Sequence, residues 1–345
     1  MQPRPAIDSQ RIRLQLKYDL IGKDAYRGVT LSYAYLANQT GHFALAFGPA
    51  AGIYLLLTRF WPALSFPGLW AGGGMALVWI VFELYNISQQ LKEGKGKDGK
   101  YVFAPDNKNI IEDTAIDMGY FTFGGLSFAA GSTPTLAGLW MVPVLLLVYL
   151  LYRSRSWYIT KICQQTAQYP YQLRLSQWNH PIQAHTQALV ENYYQGDKTG
   201  KHLLVFGMQD TGKTSLAVAL ANEQSIKRQA CLYTTGTKLL AAFHEKDETI
   251  LAEDPFALCT WRTADCLVID DIHPGDPVVE ETLTPAIFGA HLNALPENLP
   301  ALLKGNIIWV LGSTHKDQWH NEWEAWLLSL GVLPQNIQVL PMGLA

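Results

Sequence analysis

The chain has 345 residues, 26 Lys+Arg against 29 Asp+Glu for a formal net charge of −3, and only 16% charged residues, where an ordinary soluble domain carries roughly 25%. Residues 41–85 hold only Arg59 and Glu83 as full charges, and residues 118–152 hold none. This pattern excludes a disordered chain, a collagen-like chain and a purely soluble globule, and it places part of the protein in lipid.

In chain order, residues 1–40 form a charged N-terminal segment, and the first apolar run starts too late for a cleavable secretory signal. Residues 41–152 read as a transmembrane region of about four helices, at 43–59, 68–85, 118–132 and 136–152. A span needs roughly 20 residues, so the Gly-rich third stretch is the marginal one and could also be re-entrant or interfacial. Arg4, Arg11, Arg13, Lys17, Lys23 and Arg27 lie before the first stretch. Lys92, Lys95, Lys97, Lys100 and Lys108 lie in the 86–114 loop, and Arg153, Arg155 and Lys161 follow the last stretch. The turns 60–67 and 131–135 hold no Lys or Arg. By the positive-inside rule both termini and the 86–114 loop face the cytoplasm, which requires an even number of crossings. The expected location is a bacterial-type inner membrane, multi-pass, with the lipid bilayer itself as one partner.

Glu83, Asp117 and His42 are the ionisable groups of this region. Their place near helix ends favours snorkelling toward the headgroups over a proton or ion pathway. Gly72-Gly73-Gly74 would allow two helices to approach closely. Residues 153–198 read as a juxtamembrane connector with a helix near 183–194. Cys163, Cys231, Cys259 and Cys266 form no CxxC pair and read as buried small hydrophobes in a reducing compartment.

The pattern changes at residues 199–345. An apolar strand, His202–Phe206, runs directly into Gly207-Met208-Gln209-Asp210-Thr211-Gly212-Lys213-Thr214-Ser215 and then into a helix over 214–222. This is GxxxxGK[ST] in the setting that phosphate binding requires. Successive backbone N–H groups of such a loop point at the anion, and the helix N-terminus adds its dipole. Lys213 is expected on the β- and γ-phosphates, with the Thr214 hydroxyl on Mg²⁺. Downstream, the strand Cys266-Leu267-Val268-Ile269 ends in Asp270-Asp271. Asp270 is the expected Mg²⁺ carboxylate, and Asp271 the acid that orients the attacking water. A third strand, Ile307–Leu311, precedes Gly312-Ser313-Thr314. Ser313 there is either a γ-phosphate sensor or an ordinary helix cap. With strands at 230–233 and 336–340, the fold expected is an α/β core with five parallel strands. ATP and Mg²⁺ are the expected cofactors.

GMQDTGKTSLAVALANE, CLYTTGTKLL and CLVIDDIH resemble the additional-strand P-loop ATPases, and within them the AAA+-like branch of bacterial replication initiators and helicase loaders, over about residues 185–340. The resemblance implies ATP binding and hydrolysis. Two departures limit it: no arginine follows Val310, and the sequence stops at Ala345, short of a helical lid. An arginine finger is worth roughly 10³–10⁵ in rate. Turnover is therefore expected to be slow alone, or completed by Arg228, Arg262, Lys316 or a protein partner, within a homo-oligomer or larger membrane complex. Thr314-His315-Lys316-Asp317 has its lysine one place late for a guanine-specific site. Without an arginine-bearing lid a small-molecule kinase is disfavoured too.

Trp319, Trp323 and Trp326 share one face of a helix over 317–330, a stripe that reads as packing against the sheet. Residues 153–345 carry 14 Lys/Arg against 19 Asp/Glu, which disfavours non-specific DNA binding. The expectation is a membrane-anchored, cytoplasmic-facing ATPase coupling ATP to assembly, substrate handling or transfer. The rival expectations are a nucleotide-gated membrane effector or pore, and a membrane scaffold that binds ATP without turning it over.

Overall fold

The computed structural model describes residues 9–20, 31–90, 92, 95, 99–105, 107–195, 199–254, 257–272, 283–312 and 319–343. They fall into two compact units, one formed by Leu14–Glu93 and Asp106–Ile159, the other by Met1–Arg13, Gly94–Pro105 and Thr160–Ala345.

Helices account for the first unit: α1 (Ser9–Leu20), α2 (Leu31–Phe60), α3 (Pro67–Gln90), α4 (Asn107–Gly131) and, after a 3₁₀ segment at Pro134–Trp140, α5 (Met141–Thr166). Three helical stretches, Leu31–Phe60, Pro67–Gln90 and Pro134–Thr166, are long and apolar enough to cross a membrane. Their apolar side chains point outward: Leu55, Trp70, Leu77, Leu145 and Leu151 are each at least 60% exposed, a surface costly in water and natural in lipid. The marginal third stretch of the sequence lies inside α4, which begins at Asn107 and brings Glu112, Asp113 and Asp117 with it. α4 is not among those three helices.

Small residues let these helices touch. A Cβ on Gly72 would fall 2.2 Å from the Gly125 carbonyl oxygen, and one on Gly125 would fall 2.5 Å from that of Gly72. The α3–α4 crossing therefore needs both glycines. Gly73 and Gly74, by contrast, have open space around a Cβ. Asp117 has side-chain partners on α2. Its Oδ1 accepts from Gln39 Nε2 at 3.2 Å and lies 3.3 Å from His42 Nδ1. α2 and α4 begin earlier than the apolar runs of the sequence, and they carry His42 and Asp117 into a shared polar cluster.

The second unit is built on a parallel sheet of β1 (His202–Gly207), β2 (Cys231–Thr235), β3 (Cys266–Ile272), β4 (Asn306–Gly312) and β5 (Ile337–Met342), in the order β2-β3-β4-β1-β5. β4 thus lies between the strand that leads into the glycine loop and the strand that carries the Asp pair. Both sheet faces are covered, which is why the strands read as continuous apolar runs. Alternation still assigns each residue a face. Leu203, Val205, Val268, Ile308 and Val310 join α6 (Ala184–Gln195) and α7 (Lys213–Ile226) in one core. Leu204, Phe206, Ile269, Trp309 and Leu311 join the other with α8 (Gly236–Ala242), α10 (Pro285–Leu292), α11 (Asn298–Lys304) and α12 (Trp319–Ser329); α9 (Asp247–Glu253) also belongs to this unit. Trp323 is fully buried there, 5.1 Å from Phe288 and 5.4 Å from Trp309 between ring centroids. Trp326 packs 5.5 Å from it. The side chain of Trp319 lies outside the described residues.

The connector before β1 is packed onto α7. Arg174 Nε and Nη2 donate to Glu223 Oε1 and Oε2 at 2.6 and 3.1 Å, and Leu175 N–H adds a third bond to Oε1 at 3.1 Å. Gln164 donates to Asn222, whose own amide donates to the Leu173 carbonyl. The loop after α3 also contributes to this unit. Phe103 is 2% exposed with its ring 5.8 Å from Trp178, and the Val102 carbonyl accepts from Gln187.

Candidate phosphate-binding loop and acidic strand end

The glycine loop joins the C-terminal end of β1 to the N-terminus of α7. Asp210 and Gly212 both take left-handed backbone angles, φ 61° and 83°, the kind of conformation that turns successive N–H groups to one side as an anion nest. A Cβ at Gly212 would be strained by that φ and would fall 2.7 Å from His180 Cδ2, so the position requires glycine. Lys213 opens α7 and is half-buried. Its ammonium donates to the Met208 carbonyl, which also accepts from the Thr211 hydroxyl at 2.9 Å. Burial pushes the Lys213 pKa below the usual lysine value, while Asp270 and Asp210 pull it back. A desolvated ammonium beside an N–H nest at a helix N-terminus favours an anion. Thr214 lies in the first turn of α7, and Ser215 Oγ donates to the Gly212 carbonyl. Gln209 is exposed at the loop tip.

Across the sheet edge, Asp270 is 3% exposed. Its Oδ2 accepts from the Tyr233 phenol and its Oδ1 from the Asp271 backbone N–H, both at 2.8 Å. β3 does not simply end there. Its pairing with β4 passes from Ile269↔Trp309 to Ile272↔Leu311, so the two aspartates form a bulge. Asp271 has φ 55° and is exposed while both neighbours are buried. Bulges of this kind re-aim a side chain. Here the bulge keeps Asp270 in the sheet and turns Asp271 out of it.

Four aromatic residues absent from the sequence-based site surround this centre. Trp178 Nε1 donates to both the Gly212 carbonyl and Ser215 Oγ, at 3.2 and 3.1 Å. His180 packs beside Trp178 and over Gly212. Burial raises the pKa of the Tyr171 phenol, and the Asp270 carboxylate raises it further. Tyr233 holds Asp270, and burial and that carboxylate raise its phenol further still. No local pattern marks these residues, since each reaches the loop from a distant segment.

Ser313, with Thr314, His315 and Lys316, lies outside the described residues. Gly312 before it pairs with Gly207 in the β1–β4 register, at the end of the sheet where the loop sits. Arg262 is no free cation. Its guanidinium donates to Asp247 at 2.7 Å, Asn298 at 2.9 Å and the Glu245 carbonyl at 2.8 Å, and lies 4.6 Å over the Trp261 ring. All four cysteines are free and buried, and no cluster of three metal-ligating side chains occurs among the described residues.

For Mg²⁺ the donor set is suitable: the Thr214 hydroxyl and the Asp270 carboxylate are hard oxygen ligands, and Asp270 and Asp210 both lie within electrostatic reach of Lys213.

No family model matches the chain. Among solved structures it is similar to the DnaC helicase loader, at 16% identity and a TM-score of 0.31 over 47% of this chain and 93% of that one. It is also similar to DnaI, at 16% identity and a TM-score of 0.32 over 52% of this chain and 90% of that one.

Proposed function

We propose that this chain is a membrane-anchored ATPase whose P-loop unit faces the cytoplasm and couples ATP binding and hydrolysis to assembly, substrate handling or transfer at a bacterial inner membrane. One observation carries the reading: a half-buried Lys213 and a left-handed glycine loop at a helix N-terminus, with the Asp270 carboxylate in electrostatic reach. In this mechanism the amides of residues 207–215 cradle the phosphates, and Lys213 neutralises charge on the β- and γ-oxygens. Thr214, and Asp270 through a water, would hold Mg²⁺, which would supply further charge neutralisation there. Asp271, turned outward by the bulge, orients a water against the γ-phosphorus; attack releases phosphate and leaves ADP. With Arg262 engaged in structural bonds, an arginine finger would come from a neighbouring copy or another partner in a membrane complex, and Ser313 is the proposed γ-phosphate sensor. The expected order of spans leaves both termini in the cytoplasm, with α4 supplying the third of four crossings.

The test is steady-state hydrolysis by the full chain in nanodiscs. Lys213→Ala is expected to abolish ATP binding, and Asp271→Asn to retain binding while lowering turnover at least about 10²-fold. Unimpaired binding by Lys213→Ala would overturn the reading. A second reading, a nucleotide-gated effector or pore, draws on the Gln39–His42–Asp117 cluster between α2 and α4, because ionisable groups inside a helical bundle commonly mark conduction or proton sites. ATP-dependent ion flux in liposomes, lost in Asp117→Asn, would favour it over an energy-coupling ATPase.

A further inference from the structure

We propose that Tyr233 is a positioning residue for the metal-binding carboxylate, setting the orientation in which Asp270 meets Mg²⁺. This inference rests on the reading of the loop as an Mg²⁺–ATP site.

Tyr233 lies on β2, the edge strand, where its backbone N–H is fixed by the Ala167 carbonyl at 2.7 Å. From there its phenol crosses to the end of β3 and donates to Asp270 Oδ2 at 2.8 Å. The other oxygen, Oδ1, takes the N–H of Asp271, the residue turned outward by the bulge. Each carboxylate oxygen thus receives one fixed donor and keeps a second lone pair. Two donors on opposite oxygens stop the carboxylate from rotating about its terminal torsion, which is otherwise broad. The carboxylate plane is thereby set by two strands, β2 and β3, rather than by Asp270 alone.

A bond serving only to hold β2 to β3 would affect the nucleotide equally with and without metal. A positioning bond acts through the metal. Tyr233→Phe keeps the ring and its volume and removes only the donor. The measurement is ATP binding to the full chain in nanodiscs, titrated with Mg²⁺ and repeated in EDTA, with Mn²⁺ occupancy read in parallel by electron paramagnetic resonance. Tyr233→Phe is expected to bind ATP in EDTA within twofold of wild type and to need about tenfold more Mg²⁺ or Mn²⁺ for half-saturation, the scale of losing one hydrogen bond to a charged group. Unchanged or tighter metal dependence in Tyr233→Phe, with wild type binding normally, overturns the positioning role alone. An equal loss in EDTA and in Mg²⁺ also overturns it and assigns the phenol to the fold. Failure of the wild-type chain to bind ATP at all would overturn both this inference and the site reading on which it rests.

Discussion

Replacing Arg262 separates a strut from a catalytic arginine. The side chain is 4% exposed and its partner Asp247 29%; Asn298, which accepts from Nε, is fully buried. In Arg262→Met the stem still packs, but the Asn298 carbonyl oxygen loses its charged donor and Asp247 loses its partner. Breaking a buried ion pair costs about 3–5 kcal/mol. Because Asp247 can regain water, the low end applies, about 3 kcal/mol. For a unit of this size each kcal/mol moves Tm by about 2–4 °C, so a fall of about 6–12 °C is expected. The assay is thermal unfolding of the full chain in nanodiscs without nucleotide, followed by near-ultraviolet circular dichroism, beside ATP turnover at 20 °C. Turnover at 20 °C is expected to stay within about twofold of wild type, since the folded fraction remains high. An unchanged Tm with turnover lost would refute the strut and make Arg262 a catalytic cation.

Two further outcomes follow from burial and close approach. Gly72→Leu should cost about 1–3 kcal/mol by forcing α3 off α4, read as a lower melting temperature in detergent, whereas Gly73→Leu, where a Cβ meets nothing within 4 Å, should stay within about 0.5 kcal/mol. His202 is fully buried and accepts from Trp309 Nε1 at 3.1 Å, and burial lowers its pKa from 6.5 to about 4. The folded state disfavours its proton, so its contribution is complete above pH 6.5 and is lost as pH falls toward 4. The loss by pH 4 amounts to about 3 kcal/mol. Denaturant unfolding from pH 7 to 4 should show that slope, and His202→Asn should flatten it.

What could be read from the sequence depended on how local the information was. The candidate loop was legible because nine contiguous residues, between an apolar strand and a helix, carry both the motif and its setting. The two-sided sheet was legible because runs such as Leu203–Phe206 leave no polar face. The Asp270–Asp271 pair was legible as residues but not as geometry, since the bulge exists only in the register of β3 against β4. Tyr233 and Trp178 were not legible at all: they act on groups 37 and 34 residues away and belong to segments whose composition reads as edge strand and connector. The polar cluster in the helical unit failed for the same reason. Gln39 and Asp117 are 78 residues apart, and hydropathy places residues along a membrane normal without saying which face of a helix they share.

The packing of α7 alters how the connector before β1 must be understood. Trp178 holds the N-terminal turn through Gly212 and Ser215, and Arg174 and Leu175 hold Glu223 near the C-terminal end. Gln164 and Leu173 hold Asn222 from the same side. One stretch of chain therefore grips both ends of the helix that follows the candidate loop, through bonds that are mostly buried or charge-assisted and costly to break singly. Any tilt or slide of α7 on nucleotide binding must either carry residues 164–178 with it or break the Arg174–Glu223 pair. Carrying them is the cheaper course, because the connector bonds α7 at several points and breaking that pair would leave the largely buried Glu223 carboxylate without its cation. The residues between α5 and β1 are thus built into the support of the helix that follows the candidate loop, through bonds at both of its ends.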